Sequence, residues 1–305
     1  MSDVSLAESY RICCATARRA AGNFYYSFWA LPAAKRRSMC ALYAFFRRTD
    51  DLGDDAGSVE ERSAALSRWR ASLNDAAAGK FDDPLFPALM DTIRRYEIPL
   101  EYFQTAIDGV ETDLARTEFA TLAELERYCY QVASVVGLAC IHVWGFHREP
   151  SAYEAAHHCG VAFQLTNIVR DVREDAERGR VYLPRQLLLQ HGISPQSLID
   201  GHFDAIVCDV IRRVAYHAEE HYSSARRLTP YLSADGRRAY GAMMAIYHGL
   251  LKRIHAANYD VFTTRIRLPA WRKTAIALQH MWPRFVPQFG SRVPRRTIDS
   301  LSDHS

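Results

Sequence analysis

Apolar residues recur along this chain at steps of three and four residues, and this spacing constrains the fold more than any other feature of the sequence. From Met243 onward they fall at Ile246, Tyr247, Leu250, Leu251 and Ile254. That spacing places them on one face of a helix. Glycine and proline interrupt the pattern at short intervals, leaving about ten helical segments and no convincing two-residue alternation. The sequence therefore predicts an all-α protein.

The spacing of these breaks also predicts how the helices are connected. Connections must be short, so neighbouring helices should be mostly antiparallel. The chain has 305 residues, which is ample for a buried core, and it contains no repeat or linker that would divide it. We expect one helical bundle over residues 1–282. Residues 283–305 contain three prolines and end in Ser and Asp, which predicts a loosely ordered tail.

Composition excludes several classes of protein. The chain carries 38 Lys+Arg against 35 Asp+Glu, and 49% of its residues are hydrophobic, so it is neither disordered nor supercharged. Its arginines are scattered among acids rather than gathered in a stripe, so we expect no nucleic-acid partner. The seven cysteines include no CxxC pair. This predicts buried free thiols in a reducing compartment rather than disulfides or a cysteine zinc site.

The chain shows no sign of export or of a membrane span. Its first residues include Asp3 and Glu8 and no apolar signal sequence. The longest apolar stretch, residues 132–146, contains His142 and is shorter than the roughly 18 residues that a spanning helix needs. We expect a soluble, cytoplasmic protein. Residues 265–273 mix Trp271 with four cations, which predicts weak contact with an anionic membrane, a solvated basic face being the alternative.

A first acidic cluster lies in residues 43–55. Asp50 and Asp54 are four residues apart, so on a helix their carboxylates share one face about 6 Å apart. Two carboxylates at this spacing could share hard cations such as Mg²⁺. The alternative is a solvated acidic helix end beside Gly53 and Gly57.

A second polar stripe lies in residues 160–184. It consists of Gln164, Asn167, Asp171 and Asp175, on a helix that also carries enough apolar residues to be packed inside a bundle. Burying an amide and two carboxylates is costly unless they are paired. Metal ions could pair with them, or the alternating arginines, including Arg170 and Arg180, could form salt bridges with them or grip phosphates. Together the two clusters favour a site for magnesium and diphosphate.

Four segments resemble the squalene/phytoene synthase family, in order from about residue 10 to residue 275. The first aspartate motif is matched by YAFFRRTDDLGD, residues 43–54, and the second by QLTNIVRDVRED, residues 164–175, which continues into GRVYLP. The segment YCYQVASVVG, residues 128–137, resembles the family's YCxxVAxxVG. Asn258, Tyr259, Asp260 and Arg265 resemble its C-terminal part. The resemblance implies a class I isoprenoid synthase-like bundle with a central active-site cavity.

The resemblance also implies the reaction. Family members join two allylic prenyl diphosphates head to head, with two or three Mg²⁺ ions assisting the departure of diphosphate. The implied metal ligands are Asp50, Asp54, Asn167, Asp171 and Asp175. Diphosphate is a poor leaving group unless its charge is neutralised as it departs, and the carboxylates suit this chemistry. The resemblance leaves the use of NADPH and the oligomeric state open.

Further residues take implied roles in binding prenyl diphosphate. The implied substrate-binding residues are Asn23, Phe24, Phe28, Tyr43, Arg47, Gln164, Asn167, Arg170, Tyr247 and Arg265. Arg47 shares a helical face with Asp50 and is implied in catalysis. Tyr130 is the implied tyrosine near the reacting carbons, with Tyr128 as its competitor. At Asn23 the chain departs from the hydroxyl residue of many members, although an amide can also donate to phosphate.

Three activities remain open on the sequence. The first joins two farnesyl diphosphates to presqualene diphosphate and could continue to a C30 squalene-type product. The second joins two geranylgeranyl diphosphates to phytoene. The third is a non-catalytic assembly factor derived from the family, which the four retained aspartates disfavour. We expect the C15 substrate, because Phe24 and Phe28, four residues apart, could close the floor of a prenyl tunnel.

Overall fold

The computed structural model describes residues 4–20, 23–116 and 118–281. Within these ranges the chain is helical, and its only extended pairing is two isolated bridges, Glu118 with Val181 and Phe146 with Leu232. The predicted all-α class is confirmed. The predicted tail, residues 283–305, lies outside the described residues.

The α-helices of the described ranges are numbered in chain order. They are α1 (Leu6–Ala20), α2 (Asn23–Ser27), α3 (Ala33–Asp54), α4 (Val59–Ala77), α5 (Phe86–Tyr96), α6 (Glu101–Ala115), α7 (Leu122–Cys129), α8 (Val135–Trp144), α9 (Pro150–Glu177), α10 (Arg185–Gln190), α11 (Pro195–Ile199), α12 (Ala205–Ala225), α13 (Ala234–Ala256) and α14 (Ala270–Met281). Short 3₁₀ segments lie at Phe28–Ala30 and Arg226–Tyr231, and a π-helical segment lies at Tyr130–Ser134. The estimate of about ten segments falls short because α2, α10 and α11 have only five or six residues, too few to show a period.

One hydrophobic cluster runs through the described part of the chain, from Cys13 in α1 to Leu268 before α14. The 28-residue helix α9 lies at its centre and packs against α7, α8, α11, α12 and α13. That residues 1–282 form a single domain stays a prediction. None of the described helices is both long and apolar enough to cross a membrane.

Helix α3 carries the first acidic cluster into this core. It starts directly after Pro32, and it buries Met39, Leu42, Phe45 and Phe46 on its inner side. Near its end, a Cβ atom at Gly53 would lie only 2.3 Å from Cγ1 of Val110 in α6. Glycine is therefore required for this close approach, which brings the C-terminal turn of α3 against α6.

Between α7 and α8 the chain makes π-helical turns instead of continuing as a regular α-helix. This segment, Tyr130–Ser134, is clamped between two glycines of neighbouring helices. A Cβ atom at Gly109 in α6 would lie 2.7 Å from Cγ1 of Val132. A Cβ atom at Gly160 in α9 would lie 2.3 Å from Cα of Ser134. Such π-segments are frequent at functional sites, and here the segment forms part of a cavity wall.

Candidate active site

An elongated cavity of about 420 Å³ lies between α3, α6, α8, α9 and α13. Its lining residues on α3 run from Met39 to Asp50, a stretch of twelve residues that spans about 16 Å along a helix axis. On α9 they run from Ala156 to Arg170. The cavity thus extends along both helices. Its volume lies within the range typical of small-molecule sites.

The two ends of the cavity differ in polarity. Five polar side chains line one end, at the C-terminal parts of the lined stretches of α3 and α9: Arg47, Asp50, Gln164, Asn167 and Arg170. Apolar side chains line the opposite end, among them Met39, Ile141, Trp144, Leu228 and Met243. At that end, Lys35 Nζ donates to the backbone oxygen of Trp144 over 2.6 Å, which ties the start of α3 to the end of α8. The cavity therefore has a charged mouth and an apolar floor.

Asp50 is exposed at the cavity surface, although the surrounding protein limits its hydration. Desolvation raises the pKa of Asp50 to about 7; the guanidinium of Arg47 opposes this shift, and nearby carboxylates, Asp54 first, add to it. Arg47 lines the cavity beside Asp50 but forms its ion pair with Asp51, at 2.6 Å. Asp54, the last residue of α3, lies 3.4 Å from Nη1 of Arg180.

The second polar stripe is divided between the cavity and its rim. Gln164 and Asn167 line the cavity, and Nδ2 of Asn167 donates to Oε1 of Gln164 over 3.4 Å. Asp171 does not line it. Instead the Asp171 carboxylate accepts hydrogen bonds from Nε and Nη2 of Arg170, and the distance from Nε to Oδ1 is 2.7 Å. Arg265 approaches Asp171 to 3.9 Å and pairs with Glu174 at 2.6 Å.

Asp175 lies one turn beyond Asp171, against a small groove beside Arg180 and Tyr182. Burial raises the pKa of Asp175 to about 7, and repulsion from Asp171 adds to the shift, whereas Arg178 and Arg180 oppose it. Salt bridges with arginine, the alternative left open by the sequence, are thus present at Asp171. Asp175 keeps a raised pKa despite its arginine neighbours, so its negative charge is incompletely compensated.

Asp113 in α6 is a candidate site residue that the sequence reasoning missed. Its carboxylate accepts hydrogen bonds from the hydroxyls of Tyr128 and Tyr182, each at 2.8 Å. Desolvation raises the pKa of Asp113, and the repulsion it feels from Asp54 shows that it faces the first acidic cluster. The sequence did indicate that Asp113 faces inward. Asp113 lies three residues after Val110, so it falls on the buried face of α6.

Arg180, which the sequence indicated only as one of several alternating arginines, links the two acidic clusters. Its guanidinium lies 3.4 Å from Asp54, and its charge acts on Asp113 and Asp175. It follows Gly179, whose φ of +74° lets the chain turn sharply after α9. The alternation of arginines in residues 170–180 does not distinguish Arg180 from its neighbours, because only the turn after α9 brings Arg180 to α3.

The structure separates the two candidate tyrosines. Tyr130 is 36% exposed and does not line the cavity, and its ring faces His157 with centroids 5.5 Å apart. Tyr128 is buried and donates to Asp113. The π-helical segment begins at Tyr130, and its Val132 and Ala133 face the cavity instead. Neither tyrosine lines the cavity, so the role implied for Tyr130, with Tyr128 as its competitor, stays a prediction. The hydrogen bond to Asp113 favours Tyr128.

This difference gives a direct comparison of two variants. Tyr128→Phe removes one of the two hydroxyls that hold Asp113 beside the first acidic cluster, and we expect kcat to fall by about 10- to 100-fold, as for other residues in the outer shell of a metal site. Tyr130→Phe should stay within about twofold of wild type, since surface changes of this kind are nearly neutral. Steady-state kinetics at several Mg²⁺ concentrations measures both effects. Equal losses in the two variants would contradict the assignment.

The aromatic side chains around the cavity divide into two groups. Phe24, Phe28, Tyr43 and Tyr247 do line it, as does Phe46. The ring of Tyr247 stacks on Phe163 at 4.3 Å and meets Phe24 at 5.5 Å. Tyr25, Tyr26 and Trp29 pack on one another beside the cavity instead. Asn23 begins α2, and its contact with phosphate stays a prediction.

The donors at the cavity mouth, Asp50 and Asn167, and those outside its lining, Asp54, Asp171 and Asp175, are of types suited to a hard divalent cation. Asp50, Asp54, Asp171 and Asp175 offer carboxylate oxygens and Asn167 offers an amide oxygen, the ligand types that Mg²⁺ prefers. Nearby carboxylates help to raise the pKa values of Asp50 and Asp175, and a bound cation would offset this electrostatic repulsion. The residues present therefore fit the predicted magnesium ions.

Comparison with known proteins agrees with this architecture. The family model described as squalene/phytoene synthase matches residues 17–272. A 15-cis-phytoene synthase of Synechococcus elongatus is 36% identical over 280 residues, covering 88% of this chain and 91% of that protein. The crystal structure of a dehydrosqualene synthase superposes with a TM-score of 0.81 at 28% identity, and the match covers 90% of this chain and 96% of the dehydrosqualene synthase chain.

A squalene synthase of Alicyclobacillus acidocaldarius superposes with a TM-score of 0.77 at 26% identity, covering 83% of this chain and 95% of that one. These neighbours confirm the isoprenoid synthase-like fold. Because the family model covers residues 17–272 and a relative is 36% identical over most of both chains, the chain belongs to the squalene/phytoene synthase family of prenyltransferases.

Proposed function

We propose that this enzyme joins two molecules of farnesyl diphosphate head to head to give presqualene diphosphate. The single observation that carries the proposal is the cavity, with the Asp50 carboxylate, two arginines and two amides at one end and apolar side chains at the other. The family supports head-to-head condensation of prenyl diphosphates. The choice of the C15 substrate rests on the rings of Phe24 and Phe28 in the cavity wall.

At the mouth, the enzyme's own side chains would bind and neutralise diphosphate. Arg47 and Arg170 face the cavity with guanidinium groups that can each donate two hydrogen bonds to phosphate oxygens. Asn167 and Gln164 add amide donors and acceptors. Asp50, Asp54, Asn167, Asp171 and Asp175 would hold Mg²⁺, which would supply positive charge to the departing diphosphate.

Arg170 connects this binding to Asp171. Its guanidinium donates hydrogen bonds to the Asp171 carboxylate. A diphosphate at the mouth would compete for the same donors, so substrate binding would release Asp171 for a cation. Arg265, which also reaches Asp171, would remain paired with Glu174 at the rim.

The apolar part of the cavity would protect the allylic cation that forms when diphosphate departs. Side chains such as Phe46, Val136 and Phe163 exclude water from the lining, and aromatic faces stabilise positive charge. The cation is captured by the double bond of the second substrate, which forms the new carbon–carbon bond. Transfer of a proton to the released diphosphate then leaves the electron pair that closes the cyclopropane ring. Tyr128 and Tyr182 hold Asp113 beside the first acidic cluster, where diphosphate departs.

A second candidate substrate is geranylgeranyl diphosphate, which would give phytoene. The observation that favours it is the 36% identity to a protein named 15-cis-phytoene synthase. Incubating the enzyme with C15 or with C20 diphosphate, in Mg²⁺ and without NADPH, and then measuring product mass distinguishes the two. We expect a C30 cyclopropyl diphosphate from the C15 substrate. Turnover of C20 alone would overturn the choice of substrate, and turnover of neither would overturn the proposal.

The floor of the cavity gives a prediction about chain length. Phe28 is fully buried and lines the cavity, so Phe28→Ala opens space for a longer prenyl chain. We expect the ratio of C20 to C15 turnover to rise by about tenfold or more, at a cost of about 3–5 kcal/mol in stability. Competition assays with both substrates measure the ratio.

Phe45→Ala is the matched control for Phe28→Ala. Phe45 is equally buried on α3 but packs against Trp69 and Phe103, away from the cavity. It should lose similar stability without a change in the substrate ratio. An unchanged ratio in folded Phe28→Ala would contradict the role of Phe28 as a barrier to chain length.

Weak contact with anionic membranes also stays part of the proposal, because substrate and product are apolar. Trp271, at the start of α14, is 71% exposed, and Arg267 and Arg272 beside it are exposed as well. We expect salt-sensitive cosedimentation with anionic vesicles that weakens in Trp271→Ala and not in Tyr216→Ala, a change of another exposed ring. Equal recovery in the supernatant with and without vesicles at low salt would refute it.

A further inference from the structure

Two histidines and a glutamate converge outside the cavity, where α7 meets α12. Glu126 lies on α7, and His217 and His221 lie four residues apart on one face of α12. None of the three lines the prenyl cavity. They also have no part in the aspartate motifs, so the proposed condensation does not explain why they are placed together.

The spacing of their ligand atoms matches that of a tetrahedral metal site. The three atoms that could bind a metal all lie within 4.8 Å of one another. Nε2 of His221 lies 3.3 Å from Nε2 of His217 and 3.5 Å from Oε1 of Glu126. Two ligands at about 2.0–2.1 Å from a tetrahedral Zn²⁺ are about 3.3 Å apart. Glu126 and His217 are in direct contact and would have to separate slightly.

The outward-facing ring nitrogens have partners of their own. Nδ1 of His217 lies 3.0 Å from Oε2 of Glu220, and Nδ1 of His221 lies 2.9 Å from Nδ1 of His158 in α9. Metal-binding histidines usually have such a second partner, which fixes the ring so that the other nitrogen faces the metal. Both histidines therefore present Nε2 toward the same point while their opposite nitrogens are held.

Exposure of the three side chains leaves room for a fourth ligand. The exposed fraction is 9% for His221, 22% for His217 and 35% for Glu126, so the cluster opens to solvent on the Glu126 side. Two imidazoles and a carboxylate suit Zn²⁺ rather than Mg²⁺. We propose that Glu126, His217 and His221 form a zinc site, with water as the fourth ligand, that joins α7 to α12.

The site would act on the stability of the fold rather than on the reaction itself. Glu126 lies two residues before Tyr128, so a metal at this point would fix the end of α7 from which Tyr128 reaches Asp113. Because it binds the folded protein, Zn²⁺ should raise the unfolding temperature.

Direct metal binding tests the proposal without an activity assay. Zn²⁺ is titrated by calorimetry into metal-stripped protein in the presence of millimolar Mg²⁺, which occupies the aspartate-rich mouth. We expect one Zn²⁺ per chain, and the visible absorption of tetrahedral nitrogen and oxygen ligation when Co²⁺ replaces Zn²⁺. His217→Ala should weaken Zn²⁺ binding by about 100-fold or more, and Glu220→Gln by about tenfold.

His248→Ala is the matched control. His248 also pairs with a carboxylate, Glu219, at 2.9 Å, but it belongs to no cluster of three ligands among the described residues. Its loss should leave Zn²⁺ affinity unchanged. The proposal is overturned if His217→Ala binds Zn²⁺ as wild type does, if His248→Ala loses as much affinity, or if bound Co²⁺ is octahedral. Because His217 is partly exposed, its replacement should leave a folded protein in which binding can be measured.

Discussion

Asp50→Asn is expected to lower kcat by about 1000-fold or more while the helical fold survives. Asn nearly preserves the shape of the side chain but removes the charge at the cavity mouth. Metal ligands of this kind contribute several kcal/mol of transition-state stabilisation, and about 4 kcal/mol corresponds to a thousandfold in rate. Asp171→Asn should have a similar effect, because it removes the corresponding carboxylate from α9. Single-turnover assays with saturating Mg²⁺ measure the loss.

Asp55→Asn provides the control for this prediction. Asp55 follows α3 directly and is exposed, and its carboxylate accepts a hydrogen bond from the backbone nitrogen of Ala56. Its kcat should stay close to that of wild type. Near-normal product formation by the double variant Asp50→Asn, Asp171→Asn would contradict the metal assignment.

The stability of Asp50→Asn should respond to pH with a definite sign. In the folded protein the pKa of Asp50 is raised to about 7 from 3.8, so folding disfavours its ionised form. This destabilisation of wild type is fully present above pH 7, shrinks as the pH falls from 7 toward 4, and is absent below the unfolded pKa. Without divalent cations, Asp50→Asn should therefore be more stable than wild type at pH 8. Thermal melts across this range measure the difference.

Gly160→Ala is expected to have the largest effect on the fold. The new Cβ would lie 2.3 Å from Cα and 2.5 Å from the backbone nitrogen of Ser134, so no side chain can move aside to make room. Helix α9 and the π-helical segment must separate, at a cost of about 4 kcal/mol in the free energy of unfolding. The cavity wall formed by Val132 and Ala133 would shift with the segment. Chemical denaturation monitored by circular dichroism measures the loss.

Gly137→Ala is the matched control, since Gly137 lies on α8 and faces the same helix α9. There the new Cβ would lie 3.5 Å from the backbone oxygen of Ala156, an ordinary contact. Alanine also favours the helix by about 0.5–1 kcal/mol, so Gly137→Ala should be neutral or slightly stabilising. Equal stability of the two variants would show that the close approach at Gly160 does not hold the segment in place.

The helical periodicity predicted the fold because burial of one helix face is a local property of the sequence. Both acidic clusters could be located for the same reason: Asp50 and Asp54, like Asp171 and Asp175, are four residues apart on a single helix. The apolar cavity followed from the family resemblance, and the structure places Phe24, Phe28, Tyr43 and Tyr247 in its wall.

What the sequence could not predict depends on contacts between distant segments. Tyr130 turns away from the cavity because the backbone between α7 and α8 becomes π-helical, and that geometry is set by close packing against Gly109 and Gly160 on other helices. Asp113 and Arg180 join the site only when α6 and the turn after α9 meet the end of α3. The spacing of residues within one helix does not predict these contacts between helices.

The choice of partner within each charged cluster was also beyond the sequence. Arg47 lies three residues before Asp50 and four before Asp51, and both spacings allow contact on a helix. In the structure Arg47 forms its ion pair with Asp51. Arg170 pairs with its immediate neighbour Asp171, although adjacent helical residues usually face different directions. The long, flexible arginine side chain can bend back to reach it.

A crystal structure with Mg²⁺ and a thio analogue of farnesyl diphosphate that cannot ionise tests the central claim most directly. The account predicts diphosphate at the cavity mouth between the two acidic clusters, in contact with Arg47 and Arg170, with Mg²⁺ bound by Asp50 and Asp171. The prenyl chain should lie along the cavity toward Phe28. Diphosphate bound at any other surface, or a prenyl chain outside the cavity, would contradict it.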